Sequence, residues 1–239
     1  MIYPMIALPI LAVYILAAVV PAVILLRYVY RHDTVEKEPP GLLLSLLLMG
    51  VAAALASGIL ERIAQRILGA LVSPGSLLHT ILLAFLVVAV VEEGMKFLLL
   101  KWRSWHHPAF NYRFDGVVYA VFVSLGFAAY ENILYVFSYG LSVALPRALL
   151  AIPGHMSFSI AMGIFYGRAK RCWERGHDAA ATFNLILGYV LAVLLHGFYD
   201  ACAMIGSGLA TVVFLVFVVL MFLGVYRSLK REAARDLPL

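Results

Sequence analysis

Apolar residues run along this chain in seven blocks of roughly 20. At about 1.5 Å of helical rise per residue, each is long enough to cross a hydrocarbon layer about 30 Å thick. The blocks fall at about 4–26, 41–60, 78–100, 115–138, 146–167, 181–204 and 208–227. Short charged or turn-forming segments separate them. None shows the alternation of period two that a membrane β-barrel strand requires. The pattern predicts an all-α polytopic membrane helix bundle of about seven transmembrane helices, forming a single domain over residues 1–239. The first block is too long for a signal-peptide core and has no basic head, so it is expected to be retained. Residues 61–77 (ERIAQRILGALVSPGSL) keep a helical period and carry Glu61, Arg62 and Arg66. They predict a segment lying along the membrane interface.

Composition agrees with lipid as the main solvent. Of the 239 residues, 64% are hydrophobic and only 13% are charged, against about 25% charged in ordinary soluble domains. Mean hydropathy is +0.97. A soluble globular fold, a disordered chain and a disulfide scaffold are thereby excluded. The net charge of +5 does not point to nucleic acid, because the basic residues sit in short blocks between apolar runs. Those blocks set an orientation through the positive-inside rule. Fourteen Lys and Arg fall on one side, in the segments after the first, third, fifth and seventh blocks. Arg62, Arg66 and Arg147 fall on the other, and Lys96 lies within a span. The N-terminus is expected outside and the C-terminus in the cytoplasm. Cys172 and Cys202 then lie toward opposite faces and cannot pair.

A charged side chain near the bilayer centre costs about 2.5–3.5 kcal/mol on insertion scales, so charges inside the blocks need a reason. The third block holds Glu92-Glu93-Gly94-Met95-Lys96. Lys96 is i+4 from Glu92 and i+3 from Glu93, so it can neutralise one of them. The other is left in low dielectric, as suits a general base. In the fourth block Glu131, followed by Asn132, has no cation at helical spacing, so its partner must come from another helix. Asp115 at the start of that block is expected to be a helix N-cap. The fifth block holds His155 just after Pro153-Gly154, with Ser159 on the same face. In the sixth, His196 and Asp200 are i, i+4, so the carboxylate can orient the imidazole, and Tyr199 lies between them. Counted from the outer ends, Glu131, His155 and His196 lie at roughly 10–13 Å depth, with the Glu pair somewhat deeper.

Such groups fit hydrolysis of a peptide bond inside a membrane. The His-Glu-x-x-His zinc pattern is absent, no serine has a nucleophile setting, and Asp200 lacks a second aspartyl motif. Glutamate with histidine remains, one Glu deprotonating water and a His stabilising the oxyanion or protonating the leaving amine. Zinc held by His155, His196, Glu131 and Asp200 is the competing scheme, with no cofactor the favoured one. A proton-coupled transporter would use similar residues, but no repeated halves are seen. A non-catalytic protein that binds substrate helices is a further alternative.

Four ordered motifs carry a resemblance: Glu-Glu-x-x-Lys (Glu92, Glu93, Lys96), Phe-x-x-x-Glu-Asn (Phe127, Glu131, Asn132), His-x-x-Phe-Ser (His155, Phe158, Ser159) and His-Gly-x-Tyr-Asp (His196, Gly197, Tyr199, Asp200). Together with Asp33-x-x-Glu36-x-Glu38-Pro39 they resemble the PrsW family of intramembrane proteases over about residues 27–205. That family is distantly related to the CAAX prenyl proteases, in which a His stands at the position of Glu131. The resemblance implies an active site of Glu92, Glu93, Glu131, His155, His196 and Asp200, supported by Lys96, Asn132, Ser159 and Tyr199. It implies a single-pass, membrane-anchored substrate such as an anti-sigma factor, given its first cut on the extracytoplasmic side.

Overall fold

The computed structural model describes residues 3–239, with side chains from residue 9 onward. Seven helical rods follow one another: α1 (Tyr3–His32), α2 (Pro40–Leu71), α3 (residues 77–104), α4 (Asp115–Tyr139), α5 (Leu141–Glu174), α6 (Asp178–Ile205) and α7 (Gly208–Ala234). Six are long and apolar enough to cross a membrane; the other, α3, carries Glu92, Glu93 and Lys96 within it. The expected all-α bundle of seven is therefore present. One difference concerns residues 61–77. No separate interfacial segment forms, because α2 continues unbroken to Leu71 and carries Glu61 along its own axis.

Two rods are not α-helical throughout. α3 passes through π turns at Leu83–Ala89 before resuming α geometry at Val90. α5 begins with a 3₁₀ turn at Leu141–Val143 and π turns at Arg147–Ala151. Single π segments recur where a helix must aim side chains at a functional site, and each of these lies just before the site residues of its rod.

α4 is the axis of the bundle. Val117, Val118, Tyr119, Val121, Leu125 and Ala128 are buried, whereas α1 and α7 turn most of their residues to the lipid. α1, α2 and α5 pack around α4; α6 packs on α5 and α3, and α7 on α5 and α6. Hydrophobicity does not drive association of helices in lipid, so close backbone approach matters. Glycines permit it between α2 and α4. A Cβ on Gly126 would lie 2.2 Å from the Leu47 carbonyl oxygen, and one on Gly50 1.9 Å from that of Val123. Gly126→Val is expected to force these rods apart and cost about 1–3 kcal/mol or more. Thermal unfolding in detergent reads the loss.

The basic end of the bundle is closed by polar contacts. The C-terminal tail pairs antiparallel with the 111–113 segment, Arg113 N donating to Leu237 O and Leu239 N to Asn111 O, each at 3.0 Å. Glu232 accepts from Arg113 and Arg168. Asp115 is not the N-cap the sequence suggests. It is the first residue inside α4, and its Oδ2 accepts from the Asn111 and Tyr112 amides of the preceding turn. Glu38 accepts from the Tyr119 hydroxyl. Burial pushes the Asp33 carboxyl up to about 6, with Asp236 and Glu36 adding to the rise and Lys37 opposing it. Burial also raises Glu38. The folded state thus favours the protonated form of both. Their contribution is full below the ordinary carboxylate range and is lost as pH climbs, from about 4 to about 6 for Asp33. Thermal stability is expected to fall over that window by roughly 2–4 °C for each kcal/mol of linkage. Asp33→Asn should flatten the slope, as scanning calorimetry at a series of pH values would show.

Candidate active site

The site is built where α3, α4, α5 and α6 approach one another in the half of the bundle away from its basic end. The rise of the α3 helix puts Glu92, Glu93 and Lys96 on one turn, facing the core. Lys96 is 2% exposed and Glu93 fully buried. An ammonium has three N–H bonds, and all three are used: to Glu92 Oε2 at 3.2 Å, Glu93 Oε1 at 2.8 Å and His155 Nδ1 at 3.1 Å. Phe127 of α4 puts its ring face 3.9 Å from Nζ. The sequence suggests that Lys96 neutralises one Glu and leaves the other alone. Instead it bridges both, because i+3 and i+4 lie side by side on the helix surface.

Two histidines extend this cluster in opposite directions. The Nδ1 atom of His155 faces the Lys96 ammonium and so accepts; its Nε2–H then donates to Glu131 Oε2 at 3.1 Å. Glu131 also receives Arg147 Nη2 at 2.8 Å. Its partners thus come from α5, from outside its own helix. His196 Nδ1 lies 2.9 Å from Glu93 Oε1, and its Nε2 lies 3.4 Å from Asp200 Oδ2. Both ring nitrogens of His196 face carboxylates, an arrangement an imidazolium satisfies by donating twice. The Phe158 ring stacks on His196 with centroids 4.7 Å apart, and Gly197 makes room for Phe85 of the α3 π turns. The result is one continuous polar chain: Arg147, Glu131, His155, Lys96, Glu93, His196, Asp200.

A cavity of about 260 Å³ opens onto this chain, its rim carried by the exposed residues Gln65 and Met204. Glu92, Glu131, His155, His196, Tyr199 and Asp200 line it. Glu93 does not reach the cavity, which separates the two neighbouring carboxylates by role. Glu93 is held on one oxygen by Lys96 and His196, while its Oε2 is buried without a partner; Glu92 faces the open volume.

Six residues singled out from the sequence as catalytic therefore meet in one place. Of the supporting four, Lys96 and Tyr199 belong to the site. Asn132 is one shell out, its amide donating to Ala18 O of α1 and its Oδ1 accepting from Arg147. Ser159 does not join them: its hydroxyl returns to the Met156 carbonyl of its own helix. Two charged lining residues are placed elsewhere by the sequence pattern. Arg147 counts there only as a loop charge, although it is the one Lys or Arg between Arg113 and Arg168. Glu61 is assigned there to an interfacial segment, whereas it lines the cavity from α2.

One oxygen or nitrogen from each of Glu92, Glu93, His155 and His196 lies within 4.8 Å of the others. Two imidazoles and two carboxylates are a donor set that zinc takes, and the unspent Glu93 Oε2 agrees with such a use. The converging quartet differs from the His155, His196, Glu131 and Asp200 set expected from sequence. Glu131 and Asp200 instead bond to the far nitrogens of the two imidazoles, the position from which a carboxylate orients a ligand. Lys96 Nζ lies among the same donors, so an ion and the ammonium would compete for them.

Comparisons with known proteins point to one family. The family model described as PrsW family intramembrane metalloprotease matches residues 38–225. Protease PrsW of Geobacillus kaustophilus is 34% identical over 184 residues, which cover 77% of this chain and 76% of that protein. Protease PrsW of Oceanobacillus iheyensis is 32% identical over 215 residues, 90% of this chain and 94% of its own. That of Bacillus subtilis is 33% identical over 184 residues, covering 77% and 79%. No solved structure matches the chain.

Proposed function

Since the chain belongs to the PrsW family of intramembrane proteases, we propose that it hydrolyses a peptide bond of a membrane-anchored protein at the cavity bounded by Glu92, His155 and His196. The observation that carries this reading is the placement of Glu92 on the open volume while Glu93 and Lys96 lie behind it. Water entering from the rim reaches the Glu92 carboxylate, which takes one of its protons. The water oxygen adds to the substrate carbonyl carbon. The Nε2–H of His196, at a long 3.4 Å from Asp200 Oδ2, is the donor at the cavity wall for the oxyanion, while the one N–H of His155 stays on Glu131. His196, flanked by Glu93 and Asp200, passes a proton to the leaving nitrogen as the C–N bond breaks. The products are a carboxylic acid and an amine, and the proton taken up by Glu92 replaces the one His196 gave, which restores both groups.

A divalent metal is the second reading, favoured by the convergence of four donors. Bound there, the ion would be held by Glu92, Glu93, His155 and His196 and would supply a Lewis acid for water and carbonyl oxygen.

The asymmetry of Lys and Arg supports an orientation with the basic end in the cytoplasm. The cavity, at the other end, then serves a cut near the extracytoplasmic face of the cell membrane. A single-pass protein such as an anti-sigma factor is the substrate class the resemblance implies. The test is reconstitution in liposomes with a candidate single-pass substrate. Wild-type protein should cleave it; absence of cleavage across a panel of such substrates overturns the proposal. Cleavage that survives exhaustive chelation, in protein free of zinc by elemental analysis, supports the glutamate scheme. Loss on chelation and recovery with zinc would establish the metal scheme in its place.

A further inference from the structure

Arg147 enters the site from the first turns of α5, at the start of the π turns that precede Pro153. Its guanidinium is held on three sides by one stretch of α4. Nη2 donates to Glu131 Oε2 at 2.8 Å and Nε to Asn132 Oδ1 at 2.9 Å, and the group lies 3.7 Å from the centroid of the Tyr135 ring. Asn132 is itself fixed, donating to Ala18 O of α1 at 2.8 Å. Such an arrangement is expensive in lost side-chain freedom, and a surface charge would not require it. The exposure of the Arg147 side chain is 14%, so it sits at the boundary of the cavity and not in bulk water.

Its effect falls on a single atom. Glu131 Oε2 accepts from both Arg147 and His155 Nε2. The guanidinium therefore fixes which oxygen of Glu131 faces the imidazole and at what angle. His155 in turn presents Nδ1 toward Lys96, between the two glutamates. Without the guanidinium the Glu131 carboxylate has only the imidazole to hold it and is free to rotate, and His155 loses its fixed acceptor. We propose that Arg147 is a positioning residue for proteolysis, holding Glu131 so that His155 keeps its orientation in the catalytic chain. The inference rests on the proteolytic reading above and adds to it a residue outside the four motifs.

The planar fork is what the site uses. It must reach Glu131 and Asn132 at once while lying on Tyr135, and an ammonium is a single compact charge that cannot do all three. Because Arg147 borders an open cavity, a small cation can enter the space left by its removal.

The test uses the full chain in liposomes with a cleavable single-pass substrate. In Arg147→Ala, kcat should fall about 10–100-fold, the range for losing a group that orients a site ligand. KM should stay within about twofold, because ground-state binding is untouched. Guanidinium ion at millimolar concentration should restore a large part of kcat to this variant, and methylammonium should not. A kcat equal to wild type, a loss confined to KM, or a loss that guanidinium does not relieve would each overturn the inference. Should Arg147→Ala not be recovered folded, Arg147→Gln keeps the bulk and removes the charge. A fall of about 10–100-fold in its kcat at constant KM then supports the role, and wild-type kcat overturns it. Wild-type protein that fails to cleave overturns the proteolytic reading and this inference with it. Cleavage by wild type and Arg147→Ala alike overturns the inference alone.

Discussion

Glu92→Gln is expected to lower kcat for peptide cleavage by about 10²–10⁴-fold, the usual contribution of a general base, while the protein remains folded. Gln occupies the same volume but cannot take a proton from water. Its removal of one carboxylate leaves Lys96 still bonded to Glu93 Oε1 and His155 Nδ1, so the helix packing has no reason to change. Glu93→Gln should behave differently. That carboxylate is away from the cavity and accepts from both Lys96 and His196. Its loss disturbs the orientation of two cavity groups and leaves the ammonium under-compensated, so activity and stability should fall together. Single-turnover cleavage measured beside thermal unfolding separates the two variants. Equal activity in Glu92→Gln and wild type would remove the proposed base.

Lys96→Met should be the most damaging single change to the fold. It deletes the one ammonium in the cluster and leaves Glu92 and Glu93 facing each other's field in a buried site. Removing one partner of a buried ionic group costs about 3–5 kcal/mol, because the remaining charge is left uncompensated. The loss should show as a lower unfolding temperature in detergent and as poor accumulation in the membrane. Neutralising the carboxylates in the same chain, as Lys96→Met with Glu92→Gln and Glu93→Gln, should recover much of the stability without recovering activity. That recovery distinguishes charge imbalance from lost packing. A triple variant no more stable than Lys96→Met would show that the lysine chain itself supports the helices.

Hydropathy located all seven rods, because a spanning helix must satisfy its backbone within itself and show apolar side chains to lipid. Several features were hidden for physical reasons. The extension of α2 through residues 61–71 mixes Glu61 and Arg62 with Ile63 and Ile67, a pattern shared by an interfacial helix and by the end of a spanning one. The π turns of α3 and α5 leave no mark in composition, and they break the 3.6-residue period on which facing is argued. Glu92, Glu93, Glu131, His155, His196 and Asp200 stood out because each is costly in lipid. Arg147 did not, since a lone arginine at the edge of an apolar block looks like an end-of-helix charge until the approach of α4 is known. Ser159 stood out through its spacing from His155, yet a serine within a helix can satisfy itself on a preceding carbonyl.

The depth of the site limits the form in which a substrate can be cut. Glu92 and His155 are each 5% exposed and His196 3%, so their reacting atoms are reached only at the bottom of the space bordered by Gln65 and Met204. In an intact helix each interior carbonyl is bonded to the N–H four residues on and is sheathed by side chains to a radius of about 5 Å. The scissile stretch must therefore unwind and present an extended backbone. Glycine or proline near the bond would ease that unwinding, and a stably wound anchor sequence would resist the enzyme even when every side chain suited it.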